Sequence, residues 1–373
     1  MQKKTNVIPP KLKIPRLKSV DFLRGFAVFI MLEFHFANLF VIRSVLEPIT
    51  IIHFLGIVGA PIFLMIVGIS VVLSVNNRRN RGESEEEIKS HIIKRGLVIT
   101  IIHFILSPTV FGLKSVWAWG ILSLIGISII ISLYLEKYSD KTIWLCAIAV
   151  IIISPFLRVL LDYQADMALY FDYNYLTIIT YKLPWNFFAF IRGVLVTPGF
   201  PIFPHIFFVI VGVWMGKSIL KHVNNQKNTP FLKNLVILGI VFIIIGLFLE
   251  ILSNLYPLTP ADKMVGNTGY NFWSQGIAFL IFALFYWIQD IKGKEIQIFK
   301  IITFLGEISL TILVLHAYFG WYLLPFFGGP NRISLFSHYI IAFSFYCGIW
   351  VLRILWEKSR YRYSLKWIIG KLS

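Results

Sequence analysis

Stretches of about 20 mostly apolar residues recur along nearly the whole chain, and that is the length a helix needs to cross a bilayer. Ten stand out: 19–42, 51–75, 92–113, 116–135, 142–161, 201–220, 232–253, 272–289, 301–323 and 335–355. Lipid offers no partners to backbone N–H and C=O groups, so open strands are excluded and these segments read as helices. The expected fold is all-α, a polytopic membrane helix bundle of about 10 transmembrane helices. An eleventh is allowed, because WNFFAFIRGVLV (185–196) is apolar apart from Arg192.

Charge fits that reading. Charged residues are 14% of the chain, against about 25% in soluble domains. The net charge of +17 would suit nucleic acid, but the Lys and Arg residues flank apolar runs and form no soluble basic domain. They mark topology and anionic-lipid contact instead. An even number of spans puts both termini on one side. With the termini inside, the inner segments hold 27 of the 35 Lys and Arg, as the positive-inside rule requires. Both termini are therefore expected to be cytoplasmic. Basic tails at 1–18 and 356–373 flank a transmembrane domain at 19–355. The opening MQKKTNVIPPKLKIPRLK has no apolar region and cleavage site, and reads as a cytoplasmic tail. The expected setting is a multi-pass protein of the cell membrane, with the bilayer as partner; a homodimer is compatible. Cys146 and Cys347 lie in apolar runs without CxxC spacing, and no HxxxH or HExxH pattern occurs, so no metal is expected.

The first span carries the chemistry. RLKSVDFLRGFAVFIMLEFHFAN (16–38) puts Asp21, Arg24, Glu33 and His35 at lipid depth, where each ionisable group is costly. Arg24 and His35 are 11 residues apart. That is within about 20° of whole helical turns, so both lie on one stripe roughly 16 Å apart. Asp21 and Asn38 fall near that stripe, and Glu33 nearly opposite Arg24. His35 suits a general base or an acyl-accepting nucleophile; its plainer role is a hydrogen bond between helices. Arg24 suits phosphate; its plainer roles are snorkelling to headgroups and pairing with Asp21. Arg95, in IIKRGLVIT, is either a positive-inside flank or a phosphate ligand at a helix start. His53, at the outer start of span 2, and His316, deep in LTILVLHAYFGW and expected to cap the same pocket as His35, are further catalytic candidates; each has a structural alternative. His103 and His205 carry less weight. The outer segment 162–200 mixes Asp162, Asp166 and Asp172 with tyrosines and Trp185. That suits a sugar acceptor, or simply an interfacial aromatic belt. The stretch 254–271 reads as a loop. No Walker A, GxGxxG or GxSxG motif is present, which removes support for ATP-driven transport, Rossmann redox chemistry and serine hydrolysis.

RLKSVDFLRGFAVFIMLEFHF resembles the start of the heparan-α-glucosaminide N-acetyltransferase-like catalytic domain, a branch of the transmembrane acyltransferase superfamily. APIFLMIVGISVVLS (60–74), IIKRGLVITIIHFIL (92–106), WAWGILSLIGISIII (117–131), FPIFPHIFFVIVGVWMGK (200–217) and LGEISLTILVLHAYF (305–319) resemble its later motifs, in order. The resemblance implies acetyl transfer from acetyl-CoA, across the membrane, to an amino sugar or other sugar acceptor. Arg24 and His35 match the superfamily's Arg-x10-His pattern, in which the His is catalytic. Arg95 matches an arginine near the donor phosphates, with Lys94, Arg16 and Arg24 as further donor-binding candidates. Animal members carry their active histidine in the outer connection before span 2. His53 occupies a comparable region at shorter spacing, so His35 and His53 both stand as candidate bases. The competing reading is a multi-pass transporter or flippase for a sugar or glycolipid, since intramembrane charges also mark transport paths.

Overall fold

The computed structural model describes residues 16–42, 50–162, 187–196, 199–224, 228–255, 267–294, 296–329, 332–359, 361–362 and 364–373. Of residues 50–55 it describes the backbone only. The helices are α1 (Lys18–Phe40), α2 (Thr50–Asn80), α3 (Glu85–Phe111), α4 (Ile121–Leu135), α5 (Asp140–Leu160), α6 (Phe187–Leu195) and α7 (Ile202–Asn224). They continue with α8 (Asn228–Leu255), α9 (Thr268–Phe285), α10 (Gln297–Glu307), α11 (Ser309–Leu323), α12 (Leu335–Lys358) and α13 (Leu365–Leu372). Among the described residues no strand forms; one isolated bridge pairs Val41 with Ile333.

Among the described residues eight helices are long and apolar enough to cross a membrane: α2, α3, α5, α7, α8, α9 with its π-helical extension to Ile291, α11 with its 3-10 turn to Phe327, and α12. Ten were expected. The run at 116–135 is interrupted by a 3-10 turn (Leu113–Trp117), and helix resumes only after Gly120. This leaves α4 with 15 residues, about 22 Å of helix against about 30 Å of hydrocarbon. The run at 301–323 is broken at Ile308, which separates α10 from α11. α1 has 23 residues and carries Lys18, Asp21, Arg24 and Glu33; it is not among the eight. Within 185–196 the structure describes nine helical residues, α6, about 14 Å of helix; 185 and 186 lie outside the described residues.

The bundle is built around α1 and α2. α1 packs on α2, α9, α10, α11 and α12. Phe22, Leu23, Val28, Ile30, Leu32 and Phe36 are buried around its whole circumference, as expected of a helix enclosed by others. The apolar windows of α2 and α7 are 67% and 78% buried, against 22% for α3, α8 and α12, which puts the first pair at the centre and the others at the lipid-facing rim.

Missing side chains allow the central contacts. A Cβ on Gly25 would meet the carbonyl oxygen of Ile302, and one on Gly306 that of Asp21. α1 and α10 therefore touch backbone to backbone. Gly68 and Gly212 do the same for α2 and α7, against Val209 and Met65. Small residues at such crossings are how membrane helices gain packing without a hydrophobic driving force. The start of α1 has no side-chain cap of its own. Asp290 supplies one from the end of α9, accepting from the amides of Lys18 (2.8 Å) and Ser19 (3.1 Å), which satisfies two of the donors a helix start leaves open. α1 is thus held in depth by Asp290 and in lateral position by Gly25.

Candidate active site

A cavity of about 770 Å³ opens where α1 begins, α2 ends and α3 begins. α1 and the residues before it contribute Arg16, Asp21 and Arg24 to its wall. α2 contributes Ser70, Ser74, Asn77 and Arg78; Arg81 follows in the α2–α3 turn, and α3 adds His91 and Arg95. Five arginines face one carboxylate, Asp21.

The cations are not equally satisfied. Asp21 accepts from Arg24 Nη1 (2.9 Å) and Arg16 Nε (2.5 Å), and Arg24 Nη2 donates to Ser70 Oγ at 2.6 Å. Arg16 also reaches Glu307 on α10 at 2.9 Å. The hydrogen bond to Asp21 raises the Arg16 pKa above its ordinary value and keeps the guanidinium charged. Arg78 and Arg81 share Glu83, at 2.5 and 2.9 Å. The Nε of Arg78 is buried without a partner. Arg95 forms no hydrogen bond or ion pair with any described residue, and its charged neighbours are Arg24 and Arg78. A half-buried cation beside like charges is unfavourable alone and favours an anion in the space between.

Local structure explains the clustering. Ser84 and Glu87 form a reciprocal capping box at the start of α3, with Ser84 N to Glu87 Oε2 at 2.8 Å and Glu87 N to Ser84 Oγ at 3.2 Å. Arg79 clamps Glu85 of α3 and Glu136 after α4, at 2.5 and 2.7 Å. These bonds fix the α2–α3 turn, and with it the spacing of Arg78, Arg81 and Arg95.

His35 lies three turns beyond Arg24 on α1. Its Nδ1 is 3.0 Å from Nε2 of His316 on α11, and the rings overlap at 5.2 Å between centroids with 26° between planes. The Nδ1 of His316 lies 3.2 Å from the carbonyl oxygen of Ile312. A carbonyl only accepts, so His316 Nδ1 carries the hydrogen and, in a neutral ring, Nε2 is an acceptor. It accepts from His35 Nδ1–H, which leaves the lone pair of His35 on Nε2. The arrangement is an imidazole held by a second imidazole, itself held by backbone.

Glu33, two residues earlier, points the other way. It accepts from Tyr346 Oη at 2.8 Å and lies 3.4 Å from Nε2 of the fully buried His338, both on α12. α1 is therefore gripped by α12 on one face and by α11 on the other.

The structure brings Arg16, Arg24 and Arg95 to one cavity, and His35 and His316 to one pair. Lys94 is exposed and off the cavity wall. His53 lies in the first turns of α2, outside the residues whose side chains are described. His103 and His205 are tied to the carbonyls of Ala118 (2.8 Å) and Pro201 (3.1 Å). Asn38 is exposed and donates to the carbonyl of Phe34. The reading of the chain missed Arg78, Arg81, Ser70 and His91. The first two carried a signal, the basic run NNRRNR ending span 2, which looks the same as any positive-inside flank. Among the described residues no group of three or more His, Cys, Asp or Glu is placed to hold a metal.

The family model described as heparan-alpha-glucosaminide N-acetyltransferase, catalytic, matches residues 16–251. The chain belongs to this family. Heparan-alpha-glucosaminide N-acetyltransferase-type proteins are membrane acetyltransferases, and this member is a multi-pass membrane protein by its helices as well. No curated protein matches it. The family match includes Arg24, His35, His53, Arg78 and Arg95 and ends on α8. His316 and the α12 partners of Glu33 lie beyond it.

Proposed function

We propose that the protein transfers an acetyl group from cytoplasmic acetyl-CoA to an amino sugar, or another sugar acceptor, reached from the opposite side of the membrane. The carrying observation is a single helix, α1, with Arg24 in a five-arginine cavity at one end of a stripe and the His35–His316 pair at the other. Polyphosphate chemistry suits the first end. Proton transfer suits the second.

In this reading Arg95, Arg78 and Arg24 hold the donor's phosphates, with Arg16 at the rim, and the helices around α1 guide the thioester towards His35. Val28 and Met31 occupy the stripe between Arg24 and His35, so the acyl-bearing arm passes an apolar stretch that keeps water from the thioester. His35 Nε2 takes the proton of the acceptor nitrogen as the nitrogen–carbon bond forms and the carbon–sulfur bond breaks. The His35 imidazolium then gives that proton to the released thiolate, which leaves as the CoA thiol and restores the neutral imidazole. His316 is a positioning residue that holds the His35 tautomer. Orientation of two bound reactants supplies much of the rate in such a reaction.

The test is reconstitution in proteoliposomes with acetyl-labelled acetyl-CoA outside a vesicle loaded with glucosamine, or the reverse. Labelled N-acetylglucosamine is the expected product, and His35→Ala should abolish it while CoA still binds. Sugar movement without acetyl-CoA consumption would instead identify a transporter.

A further inference from the structure

The cations lining the cavity fall into two sets. In the inner set, Arg24 donates to Asp21 (2.9 Å) and to Ser70 on α2 (2.6 Å), Arg16 is shared between Asp21 and Glu307, and Arg95 adds a third guanidinium from α3. The outer set stands at the α2–α3 turn, where Arg78 and Arg81 both reach one carboxylate, Glu83, at 2.5 and 2.9 Å. Among the described residues the two sets have no hydrogen-bond partner in common, and each holds one guanidinium more than it has carboxylates. Arg78 also keeps a buried Nε–H without an acceptor, a cost that an anion accepting from it would remove.

The sets are separated along the cavity wall. Ser70, the partner of Arg24, and Arg81 are 11 residues apart, roughly 16 Å along the line of α2. Arg95 lies 10 residues from the start of α3, about 15 Å in from the turn. Between the sets α2 lends Ser74 and Asn77 to the wall, and α3 lends His91, one helical turn before Arg95. None of these three carries a fixed charge, and each can hydrogen-bond. From its deep end to the turn, the wall therefore runs from cations, through uncharged polar groups, to cations again. A matching ligand has two anionic groups joined by a polar, uncharged segment.

We propose that Arg78 and Arg81 form a second phosphate station, which reads the phosphomonoester on the ribose of the acyl donor and so selects CoA over donors that lack this group. The inference rests on the donor reading above. CoA carries phosphate in two places, a pyrophosphate between pantetheine and adenosine and a monoester on the ribose. With the thioester directed along α1 towards His35, the pyrophosphate falls to Arg24 and Arg95, and the ribose trails past Asn77 to the turn. A monoester carries about 1.5 to 2 negative charges at pH 7, enough for two guanidiniums, whose planar forks match phosphate oxygens. Glu83 holds both side chains at the turn, and the capping box of α3 holds the turn itself. Phosphate there has two sources, the donor and a lipid headgroup, and the proposal commits to the donor.

Full-length protein in phosphatidylcholine nanodiscs is titrated with CoA and, separately, with dephospho-CoA, which keeps the pyrophosphate and lacks the monoester. Wild-type protein is expected to bind CoA about tenfold or more tightly than dephospho-CoA. Arg81, with 62% of its side chain exposed, can be changed without disturbing the core. Arg81→Gln should bring the CoA affinity down towards that of dephospho-CoA and leave dephospho-CoA unchanged, whereas Arg95→Gln, in the inner set, should weaken both ligands alike. Equal wild-type affinities, a preference that survives Arg81→Gln, or an equal loss of both ligands in that variant overturns the inference. So does an effect of Arg81→Gln confined to nanodiscs containing phosphatidylglycerol, which would make Arg81 a headgroup contact. Wild-type protein that binds neither ligand would sink the donor reading as well, so the unmutated control tells the two failures apart.

Discussion

The Nδ1 of His35 lies 3.0 Å from the Nε2 of His316, across 281 residues of chain. The Ile312 carbonyl fixes the His316 hydrogen, and His316 in turn fixes that of His35. Two grades of damage follow. His35→Ala removes the proposed base and should lower kcat by about 10²–10⁴. His316→Gln keeps an acceptor for His35 Nδ1–H and should cost far less, about tenfold, whereas His316→Ala should fall between the two. Initial rates at saturating donor separate the three. Full activity in His35→Ala with loss in His53→Ala would move the base to His53.

Arg95 is a cavity cation with no hydrogen-bond or ion-pair partner among the described residues, and with Arg24 and Arg78 as neighbours. Removing it relieves repulsion in the empty site, so Arg95→Gln should leave the protein as stable or more so. Binding should suffer: a hydrogen bond to a charged group is worth about 1.5–3 kcal/mol, or roughly ten- to a hundredfold in CoA affinity. KM for the donor should rise with little change in kcat. Calorimetric titration with CoA reads the affinity, and unchanged affinity would remove Arg95 from the donor site.

Much of this was legible in the chain, and the misses have physical reasons. Ten apolar runs were readable, but Gly120 and Ile308 break two of them, and hydropathy averages over a break. The Arg24–His35 stripe follows from helical periodicity alone. That His316 shares a pocket with His35 is expected from its depth in span 9, but that its ring closes on His35 does not follow from periodicity, which relates residues within a helix and says nothing of which helices meet. Lys94 and Arg95 are neighbours about 100° apart on α3, so only one could face the cavity, and charge did not say which. Glu33 visibly needed a partner away from Arg24; Tyr346 and His338 became identifiable only when α12 packed on α1.

Glu33 and its α12 partners should govern how α1 is turned. Tyr346→Phe removes the 2.8 Å hydrogen bond to the carboxylate and leaves a partly buried charge with fewer donors. A loss of about 1–3 kcal/mol in stability is expected, seen as a lower melting temperature in detergent. Because Glu33 and His35 face opposite sides of α1, kcat should fall in the same variant while CoA affinity holds. A melting temperature equal to wild type would show that Tyr346 bears no part of this grip.

The crossing of α1 and α10 gives the sharpest structural test. A Cβ on Gly25 would meet the Ile302 carbonyl oxygen and the Gly306 amide, all backbone that has no rotamer to yield. Gly25→Ala must therefore push the helices apart, with an overpacking cost of about 1–3 kcal/mol or more, and it would tilt the stripe that joins Arg24 to His35. Gly348, on the lipid-facing α12, has nothing within 4 Å of its would-be Cβ. The same change there adds a better helix former, so Gly348→Ala should be neutral or stabilising by up to about 1 kcal/mol. Thermal-shift and size-exclusion measurements on the two variants should diverge. Equal behaviour would mean that α1 and α10 do not meet backbone to backbone.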